Sequence, residues 1–301
     1  MKIKGRMEEW KNVIPQFRST FHPSILPVFT NCHLCIYILL QLLSVSGASQ
    51  ETCNCPGGEQ KSNGVFYASW GYNRDWYSKS DLHFQNSGSD NYDFTLEKVK
   101  AKDRSGFSDI LRTAASGDIT IPQYVYRIGY YLNNKHDIGV EINFDHAKYV
   151  MIQDQSVHLE GQIHGVEMDK DTLLLPDFLK FEHTNGANFL MGNFIKRKSF
   201  LHSADNKHWL SGIIKTGAGI VIPKTDVTLF GTRVDNKFHI AGWIVGAETG
   251  LRYDFRHFFS EFTAKETFAD YTNVLTVGTG KANHHFWCFE AILSAGFQFG
   301  I

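Results

Sequence analysis

Past its first sixty residues the chain is organised by alternation. Within 123–132, Tyr124, Tyr126, Ile128, Tyr130 and Leu132 fall on one side of an extended backbone, and Val125, Arg127, Gly129 and Tyr131 on the other. A period of two is the mark of a strand with two unlike faces. Asn133, Asn134 and Lys135 make a turn signal. The next run sets Ile138, Val140, Ile142 and Phe144 against Gly139, Glu141, Asn143 and Asp145. The clearest run is 238–254. Ala241, Trp243, Val245, Ala247, Thr249, Leu251 and Tyr253 share one face, and Gly242, Gly246, Glu248, Gly250, Arg252 and Asp254 the other. Alternation also reaches the carboxyl end, where Trp287, Phe289, Ala291, Leu293, Ala295, Phe297, Phe299 and Ile301 share a face. Further strands are predicted over 65–73, 76–84, 92–101, 157–166, 179–184, 187–197, 209–222, 225–234 and 259–265.

These runs are long. The stretch 238–254 holds 17 residues, about three times the mean strand of a globular protein. A strand that crosses a bilayer at a tilt uses about 9–11 residues for the apolar band, with aromatic residues gathered at its edges. The pattern therefore predicts an all-β fold, a closed antiparallel transmembrane β-barrel of about 12 strands (range about 10–14), even-numbered as single-chain bacterial barrels are. The barrel would occupy 63–301, with the polar stretches 103–118, 166–176 and 199–207 as outer loops. A soluble β-sandwich also alternates, but with shorter strands.

Upstream, residues 34–45 read LCIYILLQLLSV, 12 apolar residues, against about 20 for a membrane-crossing helix. Lys2, Lys4, Arg6, Lys11 and Arg18 precede it, and Ser46 and Ala48 stand at the −3 and −1 positions of a small-residue cleavage site. This is the pattern of a secretory signal peptide covering 1–48, with 49–62 a periplasmic segment ahead of the barrel; a retained membrane anchor is the other reading. Localisation in the cell outer membrane follows, with outer-membrane lipid and the barrel-insertion machinery as partners and a monomer as the expected state.

Composition narrows the functional classes. Lys plus Arg number 30 and Asp plus Glu 31, so no basic surplus marks a nucleic-acid binder. Aromatic residues make up 14 % and mean hydropathy is −0.25, too polar for a bundle of membrane helices and too aromatic for a disordered chain. Cys53, Cys55 and Cys288 remain after cleavage at Ala48, too few for a disulfide framework or a four-ligand zinc site. No phosphate loop or dinucleotide fingerprint opens a helix, so no cofactor is expected. His284 and His285, being adjacent on a strand, face opposite ways and cannot chelate one metal together.

The polar faces nominate an interior network of Arg127, Glu141, Asp145, Glu160, Glu248, Arg252, Asp254 and Glu261. Buried charges must be paired, so a narrow lumen filled with ion pairs is one reading and a solute-conducting lumen another. Only one local motif carries chemistry. Residues 179–188 read LKFEHTNGAN and resemble the stretch around the active site of outer-membrane phospholipase A and of lipid A deacylases, where a histidine follows an aromatic residue and activates a serine two positions on. That resemblance implies His183 as base, Thr184 as nucleophile and Glu182 as the orienting group of a lipid hydrolase; Asn185 stands where those enzymes have serine. Asn185-Gly186 is also the favoured pair of a tight hairpin, in which His183 and Thr184 end one strand and Ala187 opens the next. More broadly, FEHTNGANF, IPQYVYRIGYYL, GVEINFDHAKY and NKFHIAGWIVGAE are similar to outer-membrane barrels of Bacteroidetes, a resemblance that implies fold and location and assigns no substrate. Whether the protein is an enzyme stays open at this point.

Overall fold

A computed structural model describes residues 64–88, 90–104, 123–132 and 137–300. The signal peptide expected over 1–48 and the segment 49–62 lie outside the described residues. Every regular element described is a β-strand, and every pairing is antiparallel. In chain order the strands are β1 (Val65–Tyr77), β2 (Ser80–Asn86), β3 (Tyr92–Val99), β4 (Ala101–Asp103), β5 (Tyr124–Tyr131), β6 (Ile138–His146), β7 (Tyr149–Met151), β8 (Ser156–Ile163) and β9 (Val166–Leu173). They continue with β10 (Leu179–His183), β11 (Phe189–His202), β12 (His208–Val221), β13 (Asp226–Leu229), β14 (Thr232–Asp235), β15 (Gly242–Phe255), β16 (Phe258–Leu275) and β17 (Lys281–Gly300).

Eight of these make a ring in the order β1, β5, β6, β11, β12, β15, β16, β17, which returns to β1 through the register Val65↔Gly300 to Tyr77↔Cys288. Closure pairs the two strands that would otherwise be bare edges. One end of the ring carries Val65, Gly300 and the short connections 132–137, 203–207 and 256–257. At the other end three of the four connections are long, 78–123, 147–188 and 222–241, and the fourth, 276–280, is a short turn between β16 and β17. Those long connections contain the remaining strands. From the far end of β17 the sheet continues through β2, β3, β8 and β9, and a second sheet runs β14, β13, β10, β7, β4. Together they form a cap whose apolar core includes Leu82, Phe84, Phe94, Leu96, Leu179 and Phe181.

The strand count needs correcting in one respect. Twelve strands do share one sheet, but only eight close the ring. Alternation reports that a strand has two unlike faces, not which neighbours it pairs with, so the cap strands read like ring strands. Of the three stretches expected as outer loops, 199–207 ends β11 and turns into β12 at the short-connection end, opposite the cap, while 166–173 is the strand β9; most of 103–118 lies outside the described residues.

Along each ring strand the two faces differ sharply. On β16, Phe259, Glu261, Thr263, Lys265, Thr267, Ala269 and Tyr271 point inward and are buried, while Phe258 and Phe262 point outward, each 62 % exposed. Four ring strands carry a pair of outward aromatics at a common spacing, Phe66 and Trp76 on β1, Trp243 and Tyr253 on β15, Phe258 and Phe268 on β16, Trp287 and Phe297 on β17, with Trp70, Tyr72 and Phe262 lying between. Each pair is ten positions apart, about 24 Å along the ring axis for a rise of about 3.4 Å per residue and a tilt of about 45°. Between the two aromatic rows the face is mainly apolar, and the most exposed apolar side chains of the ring's outer face include Phe194, Ile128, Ile142 and Leu293.

Inward glycines make room for rings. A Cβ at Gly129 would fall on the Tyr67 ring, and one at Gly296 on the Phe259 ring. This is the small–large alternation that fills a narrow ring.

Candidate functional site

The interior is layered along the axis. Nearest the short connections, Tyr67, Tyr131 and Phe259 surround the Arg252 guanidinium, whose Cζ lies 3.4 Å from the Phe259 ring centroid. Arg252 donates from Nε to Asp254 at 2.9 Å and from Nη1 to Glu261 at 2.9 Å. One layer deeper, Lys215 Nζ reaches Glu141 at 2.9 Å, Glu261 at 3.0 Å and Glu248 at 3.4 Å. Arg127 Nη1 reaches Glu248 at 2.9 Å and Glu141 at 3.0 Å. Tyr67 and Asn193 add hydrogen bonds to the Glu141 carboxylate. Apart from Asp254, at 7 %, these charged side chains are at most 3 % exposed. Each carboxylate therefore meets at least one cation, which offsets the several kcal/mol that an unpaired buried charge would cost.

Below this lies an acid-rich layer. Lys265 contacts Asp145 and, at 3.4 Å, Glu290. Asn73 donates to Glu290 at 3.1 Å and to Asp75 at 2.9 Å, and Asp75 also accepts from Tyr77 at 3.1 Å and from Gln123. The layers come from distant strands because β5, β6, β12, β15, β16 and β17 each turn alternate residues inward.

At the capped end the chemistry changes. His183 and His284, 101 positions apart, face each other Nε2 to Nε2 at 3.3 Å. His183 Nδ1 is 3.0 Å from Thr225 Oγ1, and His284 Nδ1 is 3.5 Å from Ser80 Oγ. Tyr271 stacks on both imidazoles, Phe181 meets them edge-on, and Tyr149 packs against the pair. Burial pushes the His183 imidazole down to about 3, with the nearby His239 acting the same way. In an aromatic pocket without a carboxylate partner the cation has no compensation, so the neutral ring is held.

Seven of the eight residues nominated for the interior network stand in the ring: Arg127, Glu141, Asp145, Glu248, Arg252, Asp254 and Glu261. The eighth, Glu160, is a correction: it is exposed on β8, in the cap, opposite Asp169 of β9. The expected hydrolase trio is not assembled. Both nitrogens of His183 are engaged by Thr225 and His284, Thr184 sits in the turn after β10, and Glu182, on the other face of β10, pairs with Lys180 at 2.6 Å. The expected Asn185-Gly186 hairpin is also absent, because β10 pairs with β7 and β13 while β11 pairs with β6 and β12. Gly186 takes φ +124 where the chain passes from one sheet to the other, a conformation that favours glycine.

Tyr67, Asn193 and Gln298, whose Oε1 accepts from Arg252 Nη2 at 2.7 Å, belong to the network but carry no charge; their inward register on alternating strands is the signal that could have found them. Nothing local links His183 to His284. Among the described residues no group of three or more His, Cys, Asp or Glu side chains is arranged to hold a metal ion.

No protein-family model matches the chain, and no curated protein sequence is similar to it. Solved structures similar to it are outer-membrane proteins. AlkL, determined in lipid bilayers, shares 13 % identity over 84 % of this chain and 98 % of its own, with a TM-score of 0.34. OprG from Pseudomonas aeruginosa shares 12 % identity over 80 % of this chain and 98 % of its own, at 0.33. Ail of Yersinia pestis shares 15 % identity over 79 % of this chain and 99 % of its own, at 0.28. Likeness at this level transfers no residue role.

Proposed function

We propose that the protein is an outer-membrane β-barrel whose ring sits in lipid and whose cap is displayed outside the cell, with a structural or binding role and no open pore. The observation that carries this reading is the pair of outward aromatic rows, about 24 Å apart, around a mainly apolar face. That separation matches the apolar band of outer-membrane barrels, about 25 Å tall, and the rows stand where aromatic girdles stand. A water-soluble ring would leave Phe262 and Leu293, each 62 % exposed, facing water. Short turns on the periplasmic side and long connections outside is the general arrangement of such barrels, which assigns the cap to the exterior.

The filled interior favours a non-conducting barrel. Eight strands leave a lumen just wide enough for side chains, and here the ion-paired layers and the aromatic core fill it along its length. Expressed full-length protein is expected in outer-membrane fractions, with gel mobility that changes on heating and no steady conductance in planar bilayers. Recovery as a soluble periplasmic protein would overturn the membrane reading, and steady single-channel currents would replace the filled barrel with a narrow transport role. The lipid-hydrolase reading loses its geometric support, because His183 has no nitrogen left for Thr184.

A further inference from the structure

The short-connection end of the ring opens into a cavity of about 730 Å³. Its walls combine three elements. The end of β11 supplies Arg197 and Lys198, the turn 203–207 supplies Lys207, and the turn 256–257 supplies Arg256. Against these four cations stand two carboxylates of the wall, Asp137 and Asp254, and Asp205 of the same turn, which pairs with Lys207 at 3.1 Å, so one positive charge is left in surplus. Asp254 is moreover committed inward: its Oδ1 accepts from Arg252 at 2.9 Å and from Gln298 at 2.9 Å, and its approach to Arg197 is longer, 3.5 Å. Among the described residues neither Lys198 nor Arg256 has an ion-pair partner, and both are exposed. Trp209, braced by its Nε1 donating to the Asn206 carbonyl at 3.0 Å and by stacking on His202, adds a flat apolar wall.

We infer that this cavity binds a phosphate monoester carried on a small polar body. A phosphate monoester near neutral pH holds about −1.5 to −2 charge and three acceptor oxygens, which suits the two cations without an ion-pair partner, Lys198 and Arg256. Guanidinium and ammonium groups carried on separate elements of the wall, with Arg256 resting over the Phe255 ring at 5.4 Å, would supply donors to those oxygens, and Trp209 would cover the attached glycerol- or sugar-like body. The volume exceeds a bare phosphate and admits the body with it. Two sources share this chemistry: the headgroup of phosphatidic acid in the adjoining leaflet, and a soluble phosphate ester. The headgroup source rests on the membrane reading; the phosphate chemistry does not.

The test uses full-length protein in dodecyl maltoside, titrated with glycerol 1-phosphate by calorimetry, and native mass spectrometry of co-purified phosphatidic acid against phosphatidylcholine. The variant Lys198→Gln/Arg256→Asn removes two exposed charges, with Asn chosen because residue 256 has φ +57. Lys196→Gln, on the same hairpin but outside the cavity wall, is the control. Wild type and the control are expected to bind glycerol 1-phosphate, with the double variant at least tenfold weaker. Preferential retention of phosphatidic acid, lost in the double variant, assigns the headgroup as the source, whereas glycerol 1-phosphate binding without that preference assigns a soluble ester. No binding of either probe, or equal binding by the double variant, overturns the site. Insertion into liposomes, read by heat-modifiable mobility, is scored separately: insertion without phosphate binding removes the site alone, and phosphate binding without insertion removes the membrane reading alone.

Discussion

The ring's interior and the capped end bury polar groups by opposite means. Around Lys215, Arg127 and Arg252, charges are kept and matched, each cation lying between carboxylates from several strands. Around His183 and His284, charge is given up: the imidazoles stay neutral among Tyr149, Phe181 and Tyr271, with hydroxyls at the outer ring nitrogens. The charged interior is locked by electrostatics that need every partner present. The aromatic end is a conventional apolar core that tolerates polar atoms only while they are uncharged. The difference teaches that one chain can accommodate buried polar groups either way, and that the two fillings should fail under different insults.

The largest effect is expected at Lys215. Lys215→Met leaves Glu141, Glu248 and Glu261 facing only Arg127 and Arg252, which should cost about 3–5 kcal/mol. Urea unfolding in detergent, followed by heat-modifiable mobility, measures it; a loss under about 1 kcal/mol would mean that the pairs contribute little. On the outer face, Leu293→Arg near the middle of the belt should cost about 2–4 kcal/mol in liposome refolding, and Phe258→Arg at the girdle about 0–1 kcal/mol. Equal costs at the two depths would break the belt.

The neutral end has a pH signature. An unfolded histidine takes up a proton near 6.5, while folded His183 resists until about 3. The unfolded state therefore binds more protons across that window, so stability is complete above it and falls as pH drops through it. From pH 6.5 to pH 5 the loss should be about 1.5 kcal/mol. Comparing the slope of wild type with that of His183→Phe isolates this contribution; parallel slopes would show that His183 is not the group responsible. The smallest effect is expected at Thr184, which lies in a turn and is not bonded to His183. Thr184→Ala should change stability by less than about 0.5 kcal/mol, and phospholipid and lipid A deacylation assays should not distinguish it from wild type.

Much of the ring was legible from alternation alone, because the inward and outward residues of β5, β6, β15 and β17 meet such unlike surroundings that their faces separate in the sequence. Arg127, Glu141, Glu248 and Glu261 were found for the same reason. Ring membership was not legible, since β3, β8 and β10 alternate as well but bury one face in the cap; Glu160 was misplaced on that account. The histidine pair was hidden because residues 101 positions apart meet only through the cap's topology. Lys180 beside Glu182 likewise shows how a local motif can look like catalytic machinery and serve as an ordinary ion pair.

The most direct test of the lipid-facing ring is site-directed spin labelling at 262 and 293, which are register partners across β16 and β17, with a label at the cap residue Thr95 for reference. In reconstituted bilayers, oxygen should relax the labels at 262 and 293 far more than a water-soluble nickel chelate does, with the preference reversed at 95. Equal or greater chelate access at 262 and 293 would contradict the account.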